Sequence, residues 1–255
     1  MILAVVGGAV LGLIVGSFLN VVAHRVPGGR SVVRPPSACP NCQTPILPRD
    51  NIPVLSWFLL RGKCRACSAP ISVRYPLVEA LSAVLFAVTP AVVGVTWALP
   101  AYWWFVGVSL VLILTDLDHH RIPNAILYPG LGVGATLLGI GAALEGDLGA
   151  FGRGLGGGFS YFAFLLVVAL VAKGGLGFGD VKLAGLLGLF TAYESWGVLA
   201  VSVFAAVFIG GVVAVGLVVA GRKGRKDVIP FGPPMVVGAY VALVLGEQIV
   251  DWYLR

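Results

Sequence analysis

Trp103-Trp104-Phe105-Val106-Gly107-Val108-Ser109-Leu110-Val111-Leu112-Ile113-Leu114-Thr115-Asp116 is an almost wholly apolar run closed by one carboxylate. Strands of a membrane barrel alternate apolar with polar residues. This run does not, so it predicts a helix in hydrocarbon with an ionisable group at its edge, where charge is costly and function is the default expectation. A second carboxylate, Asp180, stands in a similar position: it follows Gly174-Gly175-Leu176-Gly177-Phe178-Gly179 and opens Val181-Lys182-Leu183-Ala184-Gly185-Leu186-Leu187.

The rest of the chain agrees. Of 255 residues, 58% are hydrophobic and only 11% charged, and the mean hydropathy of +0.98 lies outside the range of domains that need a polar surface. Runs near the ~20 residues that span a bilayer are read at about 2–22, 77–99, 101–115, 125–144, 154–172, 180–193, 196–220 and 231–250. The expected fold class is an all-α polytopic membrane protein with about eight transmembrane helices. The first run has no basic residue before its apolar core, so it reads as a retained helix rather than a cleaved signal.

With the N-terminus outside, every lysine and arginine of the 17 except Arg153 and Arg255 falls on one side. The positive-inside rule makes that side cytoplasmic. It carries both Asp116 and Asp180. The net charge of +6 is then a topology signal, and its spread over short connections without interleaved aromatics argues against nucleic acid as a partner. Trp97, Trp103, Trp104, Trp196 and Trp252 are expected as interfacial anchors near the outer ends. Glycines inside the spans, such as Gly130, Gly132, Gly134, Gly157 and Gly158, are expected to let helix backbones pack closely in lipid.

One connection is long. It divides the chain into a first helix (1–22), a loop module (23–75) and a helical bundle (76–255). All four cysteines lie in the module, as Cys39-Pro40-Asn41-Cys42 and Cys64-Arg65-Ala66-Cys67 with 21 residues between. Two such knuckles can close a tetrahedral zinc site. The alternative is disulfides, which are rare in the reducing compartment that the charges indicate. A closed four-cysteine site has no open position, so zinc would be structural, folding a loop with too little apolar content to fold alone.

Asp116 ends the apolar run, whereas Asp118, His119, His120 and Arg121 fall in a polar turn closed by Pro123. Asp180 has a plain reading as a helix N-cap; the preceding glycines favour another, because they let an extended substrate backbone come close. Two carboxylates a few ångströms apart share a proton and supply both the base and the acid that peptide hydrolysis needs. A Ser-His or Cys-His nucleophilic pair is disfavoured, since the cysteines are committed to knuckles and His24, His119 and His120 have no evident serine partner.

Gly12-Leu13-Ile14-Val15-Gly16-Ser17-Phe18-Leu19-Asn20-Val21-Val22-Ala23-His24-Arg25-Val26-Pro27 resembles the N-terminal signature of the type IV prepilin peptidases. So do the knuckles, Asp50-Asn51-Ile52-Pro53-Val54-Leu55-Ser56-Trp57, Arg74-Tyr75-Pro76-Leu77-Val78-Glu79, Asp116 with Ile122-Pro123-Asn124, Gly177-Phe178-Gly179-Asp180 and Pro230-Phe231-Gly232-Pro233, in order along the chain. The resemblance implies a multi-pass protein of the bacterial inner membrane, in contact with membrane lipid, with catalytic Asp116 and Asp180. It implies prepilin or pseudopilin substrates whose basic leader is cut on the cytoplasmic side, and methylation of the new amino group by S-adenosylmethionine. Zinc on Cys39, Cys42, Cys64 and Cys67 matches the bifunctional form. For the methyl donor, Glu79 and the Arg74-Tyr75-Pro76 approach lie in the family's matching region; no glycine-rich nucleotide loop follows a strand, so a Rossmann methyltransferase is not expected.

Two other classes compete. A metal-dependent lipid-phosphate transferase would use Asp116 and Asp118 on Mg²⁺, and a proton-coupled carrier would use Asp116 and Asp180 as a relay. Neither gives a reason for the knuckles, and no internal repeat supports a carrier.

Overall fold

The structure is a computed structural model, and it describes residues 1–171, 177–221 and 230–255. Lys173 and Gly174-Gly175-Leu176, in the glycine-rich approach to Asp180, lie outside the described residues. So does the basic segment Arg222-Lys223-Gly224-Arg225-Lys226. The chain divides into two compact units, Met1–Val95 and Thr96–Arg255.

In the first unit α1 (Ile2–Arg25), a short α2 (Leu55–Leu59) and α3 (Arg74–Val92) frame the cysteine loop. α1 packs along α3 with backbones nearly touching: a Cβ added at Gly12 would stand 2.6 Å from the Ser82 carbonyl oxygen. Close approach of this kind replaces the hydrophobic drive that lipid removes. The second apolar run, expected to continue to Leu99, is broken. α3 stops at Val92, and Gly94 follows its cap at φ +80°, a left-handed position that glycine takes without a Cβ penalty.

The second unit is a six-helix bundle among the described residues: α4 (Leu99–His119), α5 (Asn124–Glu145), α6 (Leu148–Val171), α7 (Phe178–Glu194), α8 (Trp196–Val219) and α9 (Gly232–Leu254). α7 is central and touches α5, α6, α8 and α9. Its contact with α6 is the tightest, since a Cβ at Gly157 would lie 2.0 Å from the Ala192 Cβ. The far end of α7 is held as well. The Arg153 guanidinium donates to the carbonyls of Ala192, Tyr193 and Glu194 at 2.9, 2.6 and 3.0 Å, satisfying acceptors that a helix C-terminus leaves open. Gly132, expected at a helix contact, instead meets nothing within 4 Å.

Among the described residues, seven helices are long and apolar enough to cross a membrane. The eighth expected span is α7, whose 17 residues rise only ~25 Å. α4 and α7, the two helices that carry the aspartates, are also the most completely buried, while α8 turns Phe204, Val207 and Phe208 outward. Carboxylate-bearing helices are thus shielded from lipid by their neighbours, as the cost of charge in hydrocarbon requires.

Candidate active site

Asp116 lies in the last turn of α4 and is 6% exposed. Its Oδ2 is buried and accepts no hydrogen bond among the described residues. An oxygen in that state is costly unless a substrate or water uses it. Two residues on, Asp118 is exposed, as expected of the polar turn. His120 then takes φ +49° as the α4 C-cap, and the chain turns back through Ile122 and Pro123 into α5.

Asp180 is half-buried in the first turn of α7. It is not the N-cap: Gly177 holds that place, and the Asp180 N–H donates to the Gly177 carbonyl at 3.0 Å. The Asp180 carboxylate instead reaches back to the Gly177 backbone N–H from within the first turn. Asp116 and Asp180 are near enough for the charge of one to act on the other.

Ile122 explains how the two helix ends meet. A Cβ added at Gly179 would lie 3.2 Å from the Ile122 Cβ, and one at Gly232 would lie 3.5 Å from its Cδ1 and 2.7 Å from Asp116 Oδ2. Gly179 lies in the first turn of α7 and Gly232 starts α9, so one isoleucine packs against both helix starts. The paired motifs Ile122-Pro123-Asn124 and Pro230-Phe231-Gly232-Pro233 are walls of the aspartate site. That role was not legible in the sequence.

Two further groups face this region. Tyr161 of α6, 3% exposed, is within electrostatic reach of Asp180. Lys182, one turn into α7, donates to Asn124 Oδ1 at 2.7 Å, and its Nζ stands 5.1 Å from the Phe178 ring centre and 5.7 Å from that of Tyr128. This cation–π placement ties the start of α7 to the start of α5.

In the first unit the four cysteine sulfurs all lie within 4.8 Å of one another. Cys39 and Cys67 are 3.8 Å apart and Cys42 and Cys64 4.0 Å. Four thiolates at ~2.3 Å from a tetrahedral zinc are ~3.8 Å from each other, so the donor set fits that ion; bonded sulfurs would be at ~2.05 Å. The two knuckles repeat one backbone design. Cys39 N–H donates to Thr44 and Gln43 N–H to Cys39, while Cys64 N–H donates to Ala69 and Ser68 N–H to Cys64. Gln43 and Ser68 occupy equivalent left-handed positions, at φ +58° and +60°. The 3.3 Å hydrogen bond between the Thr44 hydroxyl and the Cys42 sulfur, helped by the Thr44 N–H, holds the Cys42 thiol down at about 6. Thiolate is the form that binds metal.

Comparison with known proteins agrees with this geometry. The bacterial Peptidase A24 N-terminal domain matches residues 10–93, and the type IV leader peptidase family matches residues 103–215. A prepilin leader peptidase/N-methyltransferase of Aeromonas hydrophila is 36% identical over 95% of this chain and 91% of its own. This chain belongs to the type IV leader peptidase family. A relative of the same description from Bacillus subtilis is 32% identical over 96% of both chains, and one from Pseudomonas aeruginosa is 34% identical over 96% of this chain and 91% of its own. No solved structure matches the chain.

The first of the two matched regions of this leader peptidase contains a feature that no motif announces. Val54 takes φ +62° and ψ −52°, and the Leu55 N–H donates across it to the Pro53 carbonyl at 2.6 Å. That is a γ-turn of the rare positive-φ kind, built on a β-branched residue for which the conformation is an outlier. Such a conformation costs ~1–3 kcal/mol and persists only when its surroundings fix it. Here Glu79, 8% exposed on α3, accepts the Val54 N–H at 2.6 Å, and Ser56 Oγ accepts the Ile52 N–H at 2.9 Å while donating to the Arg49 carbonyl. Glu79, the sequence candidate for the methyl donor, therefore has its carboxylate engaged in holding this turn.

Proposed function

We propose that this multi-pass inner-membrane protein is an aspartic endopeptidase that removes the leader of prepilins or pseudopilins and then N-methylates the residue it exposes. The supporting observation is the meeting of Asp116 and Asp180, far apart in sequence, over the Ile122 spacer at the ends of two buried helices. Two carboxyl groups within reach of each other hold one proton between them. The ionised one takes a proton from water as the oxygen attacks the scissile carbonyl; the protonated one gives its proton to the leaving nitrogen, and the peptide C–N bond breaks. The absence of a Cβ at Gly177 and Gly232 keeps side chains from crowding the Asp180 and Asp116 carboxylates.

Cys39, Cys42, Cys64 and Cys67 hold zinc as a structural ion, and the loop module at 23–75 that it folds belongs to the methyltransferase half. S-adenosylmethionine supplies the methyl group. Residues 76–255 carry the peptidase. The basic residues between the spans support placing both the cysteine loop and the aspartates on the cytoplasmic side, with membrane lipid around the bundle. Neither the lipid-phosphate transferase nor the carrier has an observation in its favour.

The test is to incubate the purified protein with a prepilin, with and without S-adenosylmethionine, and to weigh the product. Loss of the leader, with one further methyl mass only when the donor is present, is the expected result. A product unchanged in mass under both conditions would exclude the reading.

A further inference from the structure

The strained turn at Val54 does not stand alone. Asn51 and Pro53, which lead into it, line a cavity of about 410 Å³ inside the first unit. The opposite wall is the α1 stripe Ser17, Phe18, Val21 and Arg25, and the proline-rich segment from Val32 to Ser37 closes a third side. The residues of α1 that line it recur at helical spacing, so one face of this helix is given to the cavity rather than to α3.

Its size lies within the ~300–1,000 Å³ of small-molecule sites, and polar groups stand among its apolar lining residues. Those groups are the Ser17 hydroxyl, the Asn51 amide and the Arg25 guanidinium. Among the described residues the Arg25 guanidinium makes one hydrogen bond, from Nη1 to the Ser31 carbonyl, so it has donors to spare. A planar guanidinium is suited to a carboxylate. Phe18 and the prolines offer flat apolar faces of the sort that take a purine.

We infer that this cavity, between α1 and the Asn51-to-Val54 turn, binds the methyl donor: an adenine nucleoside whose amino-acid carboxylate pairs with Arg25. The inference rests on the methyltransferase half of the proposed function and gives it a location. Glu79 enters as a positioning residue. It does not face the donor; it accepts the Val54 N–H and so keeps the turn, and with it Asn51 and Pro53, in the shape of the wall. This accounts for strain held at a β-branched residue by a buried carboxylate, an arrangement that serves no evident purpose in packing.

The full-length protein in detergent, with radiolabelled S-adenosylmethionine as the probe in equilibrium dialysis, tests the site by binding alone. Ser17→Trp fills the cavity and is expected to raise the Kd at least tenfold while melting at the wild-type temperature. Arg25→Gln is expected to raise it by a similar factor and Arg25→Lys to recover part of the loss. Glu79→Ala weakens binding and Glu79→Gln, which keeps an acceptor for Val54, restores it. If Ser17→Trp and Arg25→Gln both bind the donor within twofold of wild type, the cavity is not the site. A phospholipid carried through purification in the cavity and not displaced by the donor would equally overturn it. Wild-type protein that removes leaders but neither binds the donor nor adds a methyl group would defeat the underlying methyltransferase reading as well, which separates the two failures.

Discussion

The two compact units solve the same problem, positioning a few polar side chains, by opposite means. In the bundle of Thr96–Arg255, Asp116 and Asp180 are placed by packing: small residues let α6 and α7 touch, Ile122 sets the spacing, and Arg153 holds the far end of α7. In the loop of Met1–Val95 there is little core, and placement comes from point contacts: four sulfurs that fit one ion, a carboxylate on a backbone N–H, and a bidentate Arg65–Asp50 pair. A site built by packing should tolerate loss of any polar contact and fail on added volume. A site built by point contacts should do the reverse.

The sharpest test removes the chemistry while leaving the packing. Asp116→Asn and Asp180→Asn keep side-chain volume, so the bundle should melt as wild type does while leader removal falls by roughly 10³-fold or more, the upper range for losing an acid–base group. Either variant cleaving a prepilin at the normal rate would remove the peptidase assignment.

Metal removal probes the other unit. A chelator should expose the amides of the knuckles to hydrogen exchange, because the binding energy of a structural metal is folding energy, and leave α4 to α9 protected. Metal analysis should find one zinc per chain in the untreated protein; a metal-free preparation with the same protected loop would show that the sulfurs serve another purpose. Leader removal should survive the chelator, which a Mg²⁺-dependent transferase would not.

Added volume sharpens the comparison from the bundle side. Gly232→Ala brings a Cβ to within 2.7 Å of Asp116 Oδ2 unless something shifts, and a misplacement of ~1 Å at a reacting group costs about 10²-fold in rate. Unchanged kinetics would mean that α9 moves freely and that packing does not set the site.

The smallest effect is expected at Asp50. Arg65 donates to both of its oxygens at 2.7 to 3.1 Å and holds the carboxyl below its ordinary range. A lowered folded-state value means that the pair contributes at neutral pH and that the contribution is lost as pH falls through that value. Arg65→Ala should thus cause a slight loss of thermal stability near neutrality that disappears in acid. Exposed pairs contribute little, and a large loss would show the pair to be part of the fold of the knuckles.

Much of this was legible in the chain. The all-round apolar run ending at Asp116 required a helix with a carboxylate at its edge, and the knuckle spacing required sulfurs that can converge. The break between α3 and α4 was expected near residue 100 and comes instead after Val92, because the apolar character continues through Gly94, whose backbone angle composition does not report. Asp180 reads as an N-cap in isolation, yet Gly177 takes that place, a difference of one turn that local preference does not decide.

Hydropathy and residue spacing are one-dimensional quantities, and they suffice for what depends on neighbours in the chain: the helices, the loop between them and the donor set of a metal site. That Ile122 meets two glycines from separate helices, that Asp116 buries an oxygen with no hydrogen bond among the described residues, and that Glu79 holds Val54 in a strained turn are properties of contacts between distant segments. Such contacts are fixed only when close packing in three dimensions selects which backbones touch, so only the tertiary structure could decide them.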